Sequence, residues 1–114
     1  MSNANDKLSA VNARLMDLFK AEKQTMMAFN GLTVAAARDG AISARVKELT
    51  AVAIAVAKGC DDCILYHVAA ARKHGASRTE LTEMLAVSIE MAGGPGAVYA
   101  AKALEAFDEM AAAE

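Results

Sequence analysis

Apolar residues recur every three or four positions over most of this chain, which is the spacing of amphipathic helices. A first helix is predicted over about 4–23, where the apolar residues repeat on one face as far as Leu18. A second is predicted over about 25–38 and ends at the sequence RDG, where Gly40 is expected to adopt the left-handed conformation of a helix cap.

A third predicted helix begins after Ser43, a residue type that caps helices well, and ends at Gly59. Its charged residues lie near its ends, and the run LTAVAIAVA between them is uncharged. Because a helix that is apolar on all sides is usually buried, this element is predicted to be the central core helix. A fourth helix follows over about 60–74 and is closed by Gly75.

The sequence SRTE predicts the start of a fifth helix, with Ser77 as the cap and Glu80 completing a capping box. Its inward face is predicted to carry Leu81, Met84, Leu85 and Ile89. The helix is expected to break at GGPG, 93–96, before a last helix over about 97–112. The pattern therefore predicts an all-α fold: a compact bundle of about six helices forming a single domain over 1–114.

The composition changes the expected assembly. Apolar residues make up 55% of the 114 residues and aromatic residues only 4%. A chain this small is not expected to bury so much apolar surface by itself. We therefore expect an obligate homo-oligomer with large apolar interfaces.

The net charge and the composition of two segments argue against nucleic acid and membranes as partners. The formal net charge of −2 gives no electrostatic basis for binding nucleic acid or an anionic membrane surface. The start of the sequence lacks the basic and apolar regions of a secretory signal, and the longest uncharged run, 24–37, is too short to span a bilayer. A cytoplasmic protein is expected.

The candidate chemistry lies in the stretch KGCDDCILYH, 58–67, which contains both cysteines of the chain. At 100° per residue, Cys60, Cys63 and His67 fall within about 60° of one another on a helix. A helix amino terminus lowers the pKa of a thiol, and His67 lies one turn beyond Cys63, within reach as a base. In a reducing cytosol, such a cysteine pair is more often catalytic, redox-active or metal-binding than a structural bridge.

A fourth residue joins this group if the third and fourth helices form an antiparallel hairpin around Gly59. Glu48 precedes Gly59 by 11 residues and His67 follows it by 8, so their heights differ by only about 4–5 Å. A half-buried Glu48 could then orient and polarise the imidazole. The hairpin thus predicts one cluster of Glu48, His67, Cys60 and Cys63.

Two other interpretations of the cysteines are weighed against this one. The cysteines could be inert thiols near a helix start, or zinc ligands together with His67 and His74. A straight helix places His74 about 10 Å beyond His67, too far for one ion to bind both. Structural zinc sites also usually take a second ligand pair from another segment, which this chain lacks. We therefore expect neither a metal nor a cofactor.

Glu48, eleven intervening residues, the sequence CDDC and then His67 resemble the motif of the alkylhydroperoxidase D-like group of the carboxymuconolactone decarboxylase superfamily. The flanking sequences DGAIS and ELTEML agree with it, and the resemblance covers roughly 30–105. It implies an all-helical trimer or hexamer whose cysteine pair cycles between dithiol and disulfide. Members reduce small hydroperoxides, and some draw electrons from a thiol or lipoyl-bearing partner.

Carried over by position, the resemblance makes Glu48 and His67 a proton relay and Cys60 and Cys63 the redox pair. Some members have a histidine immediately before the second cysteine, where this chain has Asp62. The function expected is a thiol-dependent peroxidase or disulfide reductase.

The sequence leaves open which thiol attacks, and it is compatible with two other functions. The position of His67 favours Cys63 as the attacking thiol, whereas exposure at the helix start would favour Cys60. A redox-sensing oligomer would undergo the same oxidation slowly. A lyase acting on small cyclic substrates would keep its activity without either cysteine.

Overall fold

A computed structural model describes residues 3–114, and six α-helices form within that range, which contains no strand. The helices are α1 (Ala4–Ala21), α2 (Lys23–Ala37), α3 (Ala44–Lys58), α4 (Asp61–Lys73), α5 (Arg78–Ala92) and α6 (Gly94–Ala112). The all-α prediction is confirmed, as is the helix hairpin carrying the two cysteines.

Local sequence signals determine most of the helix ends, as expected. The Ser43 hydroxyl accepts a hydrogen bond from the Val46 amide at 3.2 Å and so caps α3. Ser77 and Glu80 form the predicted capping box, in which each side chain accepts the other residue's amide hydrogen. Gly75 adopts the left-handed conformation after α4, with φ of 86°.

α2 ends at Ala37, close to the predicted end at about 38, because Arg38 turns to an extended conformation, but Gly40 does not adopt the left-handed conformation expected of it. The predicted start of the last helix is wrong. The GGPG sequence breaks the helices only at Gly93, and α6 already begins at Gly94. Pro95 is accommodated in the first turn of α6 because an amide there would have no helical partner.

The core forms where α3 packs against α4, α5 and α6, which confirms α3 as the central helix. The largest fully buried side chains of the core are Val52, Val56, Ile64, Val68 and Leu81. The uncharged run of α3 is nevertheless not buried on all sides, because Ile54 is 54% exposed.

The predicted inward faces of two other helices are only partly buried. On α5, Leu81 and Leu85 are buried but Ile89 is exposed. On α1, the apolar stripe leaves the core toward its end, and Leu18 is exposed. Both stripes are longer than the surface that the neighbouring helices cover.

α2 stands apart from the core. Within residues 3–114, it contacts only α1 and α3, and it contains no buried residue. Most of its large apolar side chains are exposed, with Phe29 at 58% and Leu32 at 64%, although Met26 is half-buried. The helix therefore presents an apolar surface that this chain leaves uncovered. None of the helices in 3–114 combines the length and hydropathy required to cross a membrane.

Candidate active site

The turn between α3 and α4 determines where the two cysteines lie relative to α3. Gly59 is left-handed, with φ of 70°, and donates its amide hydrogen to the Val56 carbonyl. The Cys60 amide donates to the Ala55 carbonyl, so the two bonds form a Schellman cap. The ring of Tyr99 lies 3.3 Å from the point that a β-carbon on Gly59 would occupy. A glycine is therefore required for both the conformation and the close approach of the ring.

Cys60 and Cys63 occupy the start of α4 and are joined by a disulfide, with their α-carbons 5.3 Å apart. Cys60 is the N-cap residue, and its sulfur accepts a hydrogen bond from the Cys63 amide at 3.3 Å. Cys60 is half-buried, whereas Cys63 is exposed. The expectation that the helix start would leave Cys60 the more exposed thiol is therefore wrong.

Glu48 and His67 meet across the hairpin, as the height calculation predicted. Glu48 Oε2 lies 2.7 Å from His67 Nδ1. Glu48 is only 7% exposed and His67 is half-buried, so solvent screens this contact weakly. The ring of Tyr66 meets His67 edge-on, with the ring centroids 5.2 Å apart.

This contact determines what the histidine can do. With Nδ1–H donating to Glu48, the neutral imidazole has its lone pair on Nε2. Within residues 3–114, Nε2 has no hydrogen-bond partner. The pair is therefore arranged to accept a proton at Nε2, with the buried carboxylate stabilising the imidazolium that results.

Each aspartate between the cysteines forms an ion pair with a neighbouring helix. Asp62 accepts a hydrogen bond from Arg14 of α1 at 2.8 Å, and Asp61 accepts one from Lys102 of α6 at 2.9 Å. These side chains line a groove of about 400 Å³ between α1, α4 and α6. The two cations are not predictable from the sequence, because no spacing rule links them to the motif.

The residues considered for zinc do not gather in one place. His74 is the C-cap residue of α4, at the end of that helix opposite the disulfide. Within the described range, no three histidine, cysteine, aspartate or glutamate side chains are grouped to hold a metal ion.

The family model for the carboxymuconolactone decarboxylase family matches residues 21–106. An uncharacterized protein of Cupriavidus necator is 51% identical over 104 residues, which are 91% of this chain and 92% of that protein.

Two crystal structures of family members are similar to this fold. A protein from Legionella pneumophila is 40% identical, with a TM-score of 0.90 over 93% of this chain and 95% of that one. A protein from Thermotoga maritima, for which a part in an antioxidative response has been suggested, is 27% identical. Its TM-score is 0.73 over 79% of this chain and 93% of that one.

Proposed function

The chain belongs to the carboxymuconolactone decarboxylase family, and we propose that it is a thiol-dependent peroxidase and disulfide reductase. In this proposal, Cys60 and Cys63 are the redox couple, and Glu48 and His67 relay protons. One observation carries it: the disulfide at the start of α4 lies one turn from a histidine whose Nδ1 is held by a buried carboxylate.

The oxidative half of the proposed cycle begins at Cys63, which is exposed and four residues before His67. His67 Nε2 takes the thiol proton, and the thiolate attacks the terminal oxygen of a small hydroperoxide. The O–O bond breaks, Cys63 becomes a sulfenic acid, and the leaving alkoxide takes a proton to form an alcohol. The Cys60 thiolate then attacks the Cys63 sulfur, the S–O bond breaks, and the departing hydroxide takes up the proton that the Cys60 thiol released, so that water leaves and the disulfide forms.

The reductive half requires two electrons from a dithiol, and a thiol or lipoyl-type reductant has this chemistry. Its thiolate attacks the exposed sulfur of Cys63, forming a mixed disulfide and releasing Cys60 as a thiolate. The Cys63 amide that donates to the Cys60 sulfur would stabilise this leaving group. The second thiol of the reductant then displaces Cys63, so the reductant leaves as a disulfide. Because this step needs a compartment rich in reduced thiols, we place the cycle in the cytoplasm.

We also propose that the protein is a homo-oligomer, a trimer or hexamer, and that α2 lies in its interface. Apart from Lys23 at its start, α2 carries no charge, so it offers nothing to a charged partner. The exposed apolar side chains of α2 continue along the end of α1: Leu15, Met16, Leu18, Met27, Phe29, Leu32 and Val34. Stable homo-oligomers bury apolar surface of this kind, on the order of several hundred Å² or more from each partner. A second copy of the same chain supplies a matching apolar helix.

The decisive experiment counts free thiols over time after a small hydroperoxide is added to the reduced protein. Rapid loss of two thiols per chain is expected, and His67→Gln should slow it by at least about tenfold because proton transfer is lost. His74→Gln is the matched control, because it changes the other histidine, at the far end of the same helix. It should oxidise like the native protein.

Other results would favour other functions. Oxidation no faster than that of a free thiol, accompanied by a change in assembly, would replace the peroxidase with a redox sensor. Activity on a cyclic substrate that persists when both cysteines are replaced by serine would instead identify a lyase.

A further inference from the structure

Two cations from outside the hairpin reach the residues between the cysteines. The Arg14 guanidinium of α1 binds Asp62, and the Lys102 ammonium of α6 binds Asp61. The pairs come from opposite ends of the sequence, 48 and 41 residues away from the aspartates that they bind. The first turn of α4 is therefore bracketed by one ion pair on each side.

These aspartates create a problem for thiol chemistry. Asp61 and Asp62 are the first two residues of α4, directly between the sulfur-bearing residues. A carboxylate near a thiol favours the protonated form and so opposes the thiolate on which both halves of the cycle depend. The proton relay supplies a base, but it does not remove this repulsion.

We propose that Arg14 and Lys102 are positioning residues of the redox pair. By neutralising Asp62 and Asp61, they allow the amino-terminal amides of α4 to stabilise a cysteine thiolate. The inference rests on the proposed function for the need for a thiolate, but the charge balance can be measured without any peroxide.

The surroundings of Lys102 support this role. Its Nζ lies 5.3 Å from the centroid of the Tyr99 ring, and that ring packs against Gly59, immediately before Cys60. One face of α6 thus contacts both the turn that orients Cys60 and the carboxylate that follows it. The hydrogen bond and charge of Asp61 raise the pKa of Lys102, so the ammonium stays charged wherever a thiol titrates.

Neutralising the aspartates would preserve the stabilisation of a thiolate by the amides at the start of α4, and the hydrogen bond at Cys60 is one such interaction. The Cys63 amide donates to the Cys60 sulfur, in the position where an N-cap acceptor binds the free amides of a helix. These amides carry partial positive charge and stabilise an anion. Two uncompensated carboxylates beside them would cancel that contribution.

The charged and titratable groups near this turn come from four helices. They are Lys7 and Arg14 from α1, Glu48 and Lys58 from α3, Asp61, Asp62 and His67 from α4, and Tyr99, Lys102, Glu105 and Glu109 from α6. Within residues 3–114, Arg14 and Lys102 are the two cations in direct contact with the aspartates of the motif.

Both ion pairs are solvent-exposed, and exposed pairs contribute little to folding stability. Their removal should therefore change the ionisation of the thiols more than the stability of the bundle. Salt should reduce the difference between the native protein and the variants, because it screens exposed charges.

The test is the pH dependence of alkylation of the reduced protein by iodoacetamide, an uncharged reagent. Arg14→Gln and Lys102→Gln should each move the midpoint to higher pH and slow alkylation near pH 7 about two- to fivefold. The double variant should be slower still, and Arg14→Lys should retain the native profile. Arg78→Gln is the matched control, since it removes an ion pair with Asp108 between α5 and α6.

A second substitution distinguishes the effect of the charge of Arg14 from the effect of losing its contact with α4. Asp62→Asn combined with Arg14→Gln should restore the native midpoint, because both charges of the pair are gone. Midpoints that do not move in Arg14→Gln and Lys102→Gln would overturn the inference, as would a lowered melting temperature with an unchanged midpoint. A shifted midpoint in a protein that reduces no peroxide would contradict the proposed function and leave this inference standing.

Discussion

The carboxylate of Glu48 and the imidazole of His67 belong to different helices, 19 residues apart in the sequence, and meet at 2.7 Å. The contact is buried on the Glu48 side, and the left-handed turn at Gly59 makes it possible. A histidine held in this way has one nitrogen engaged and the other available for proton transfer.

Replacing Glu48 by glutamine should slow thiol oxidation by hydroperoxide about tenfold or more, because a neutral amide stabilises an imidazolium poorly. Glutamine has nearly the same shape, so the fold and the oligomeric state should persist. Stopped-flow thiol counting and circular dichroism would measure the two properties. Glu83→Gln, an exposed position on α5, is the matched control. Equal oxidation rates in both variants would show that Glu48 has a structural role only.

Single cysteine variants should distinguish the attacking thiol from the resolving one. Cys60→Ser should still react rapidly with hydroperoxide but lose one thiol per chain, stopping at a sulfenic acid that a dimedone-type reagent captures. Cys63→Ser should react no faster than a free thiol, because the exposed sulfur near His67 is gone. Mass spectrometry of the labelled chains would read out both results. The opposite pattern would assign the attack to Cys60.

The apolar surface of α2 predicts a change of assembly on substitution. Phe29→Glu together with Leu32→Glu should shift the protein toward monomers, because burying two carboxylates in an apolar interface is costly. Light scattering after size exclusion would measure the mass. Ser9→Glu, an exposed position on α1, adds charge without touching the surface and serves as the control. A native protein that is already monomeric would refute the proposed interface.

The capping box of α5 should contribute measurably to stability. Ser77→Ala removes the hydroxyl that accepts the Glu80 amide hydrogen at 3.0 Å, and it should lower the free energy of unfolding by about 1 kcal/mol. Urea denaturation would measure it. Ser9→Ala changes an exposed position in the middle of α1, and it should change the free energy of unfolding by less than about 0.5 kcal/mol. A similar loss in both variants would mean that the cap adds nothing specific.

The same box should make stability depend on pH in acid. The Ser77 amide donates to the Glu80 carboxylate and, with the charge of Arg45, lowers the pKa of Glu80 below its ordinary value of 4.5. The resulting stabilisation is present above that ordinary value and is lost as the pH falls through the lower pKa of the folded state. Urea midpoints measured from neutral to acid pH should therefore decline less in Glu80→Gln than in the native protein. Glu83→Gln controls for the loss of one carboxylate, and identical acid profiles for the two variants would contradict the role of the box.

Helix ends and the helix hairpin followed from the sequence because their causes are local. Ser43, Ser77, Gly59 and Gly75 each act on the residues within one turn of them, and the structure confirms all four. The left-handed conformation expected of Gly40 does not occur, because a glycine permits such a cap without imposing one. The helix already ends two residues earlier, where Arg38 is extended.

The matching heights of Glu48 and His67 above their shared turn were also predictable, since the rise per residue fixes them, but the rotation that brings the two side chains to 2.7 Å was not. Height along a helix depends on sequence distance alone. Rotation about the helix axis depends on which neighbours pack against it. That rotation exposes Ile54 in an uncharged run and leaves Ile89 outside the core.

The sequence by itself thus determined the helices, the turn at Gly59 and the alignment of Glu48 with His67, because each depends on interactions within one helix or one hairpin. Only the tertiary structure decided that Arg14 and Lys102 reach the aspartates of the motif. Those ion pairs depend on how α1 and α6 pack against α4. That packing is driven by the burial of apolar surface, so the pattern of apolar residues does not indicate which charged residues it brings together.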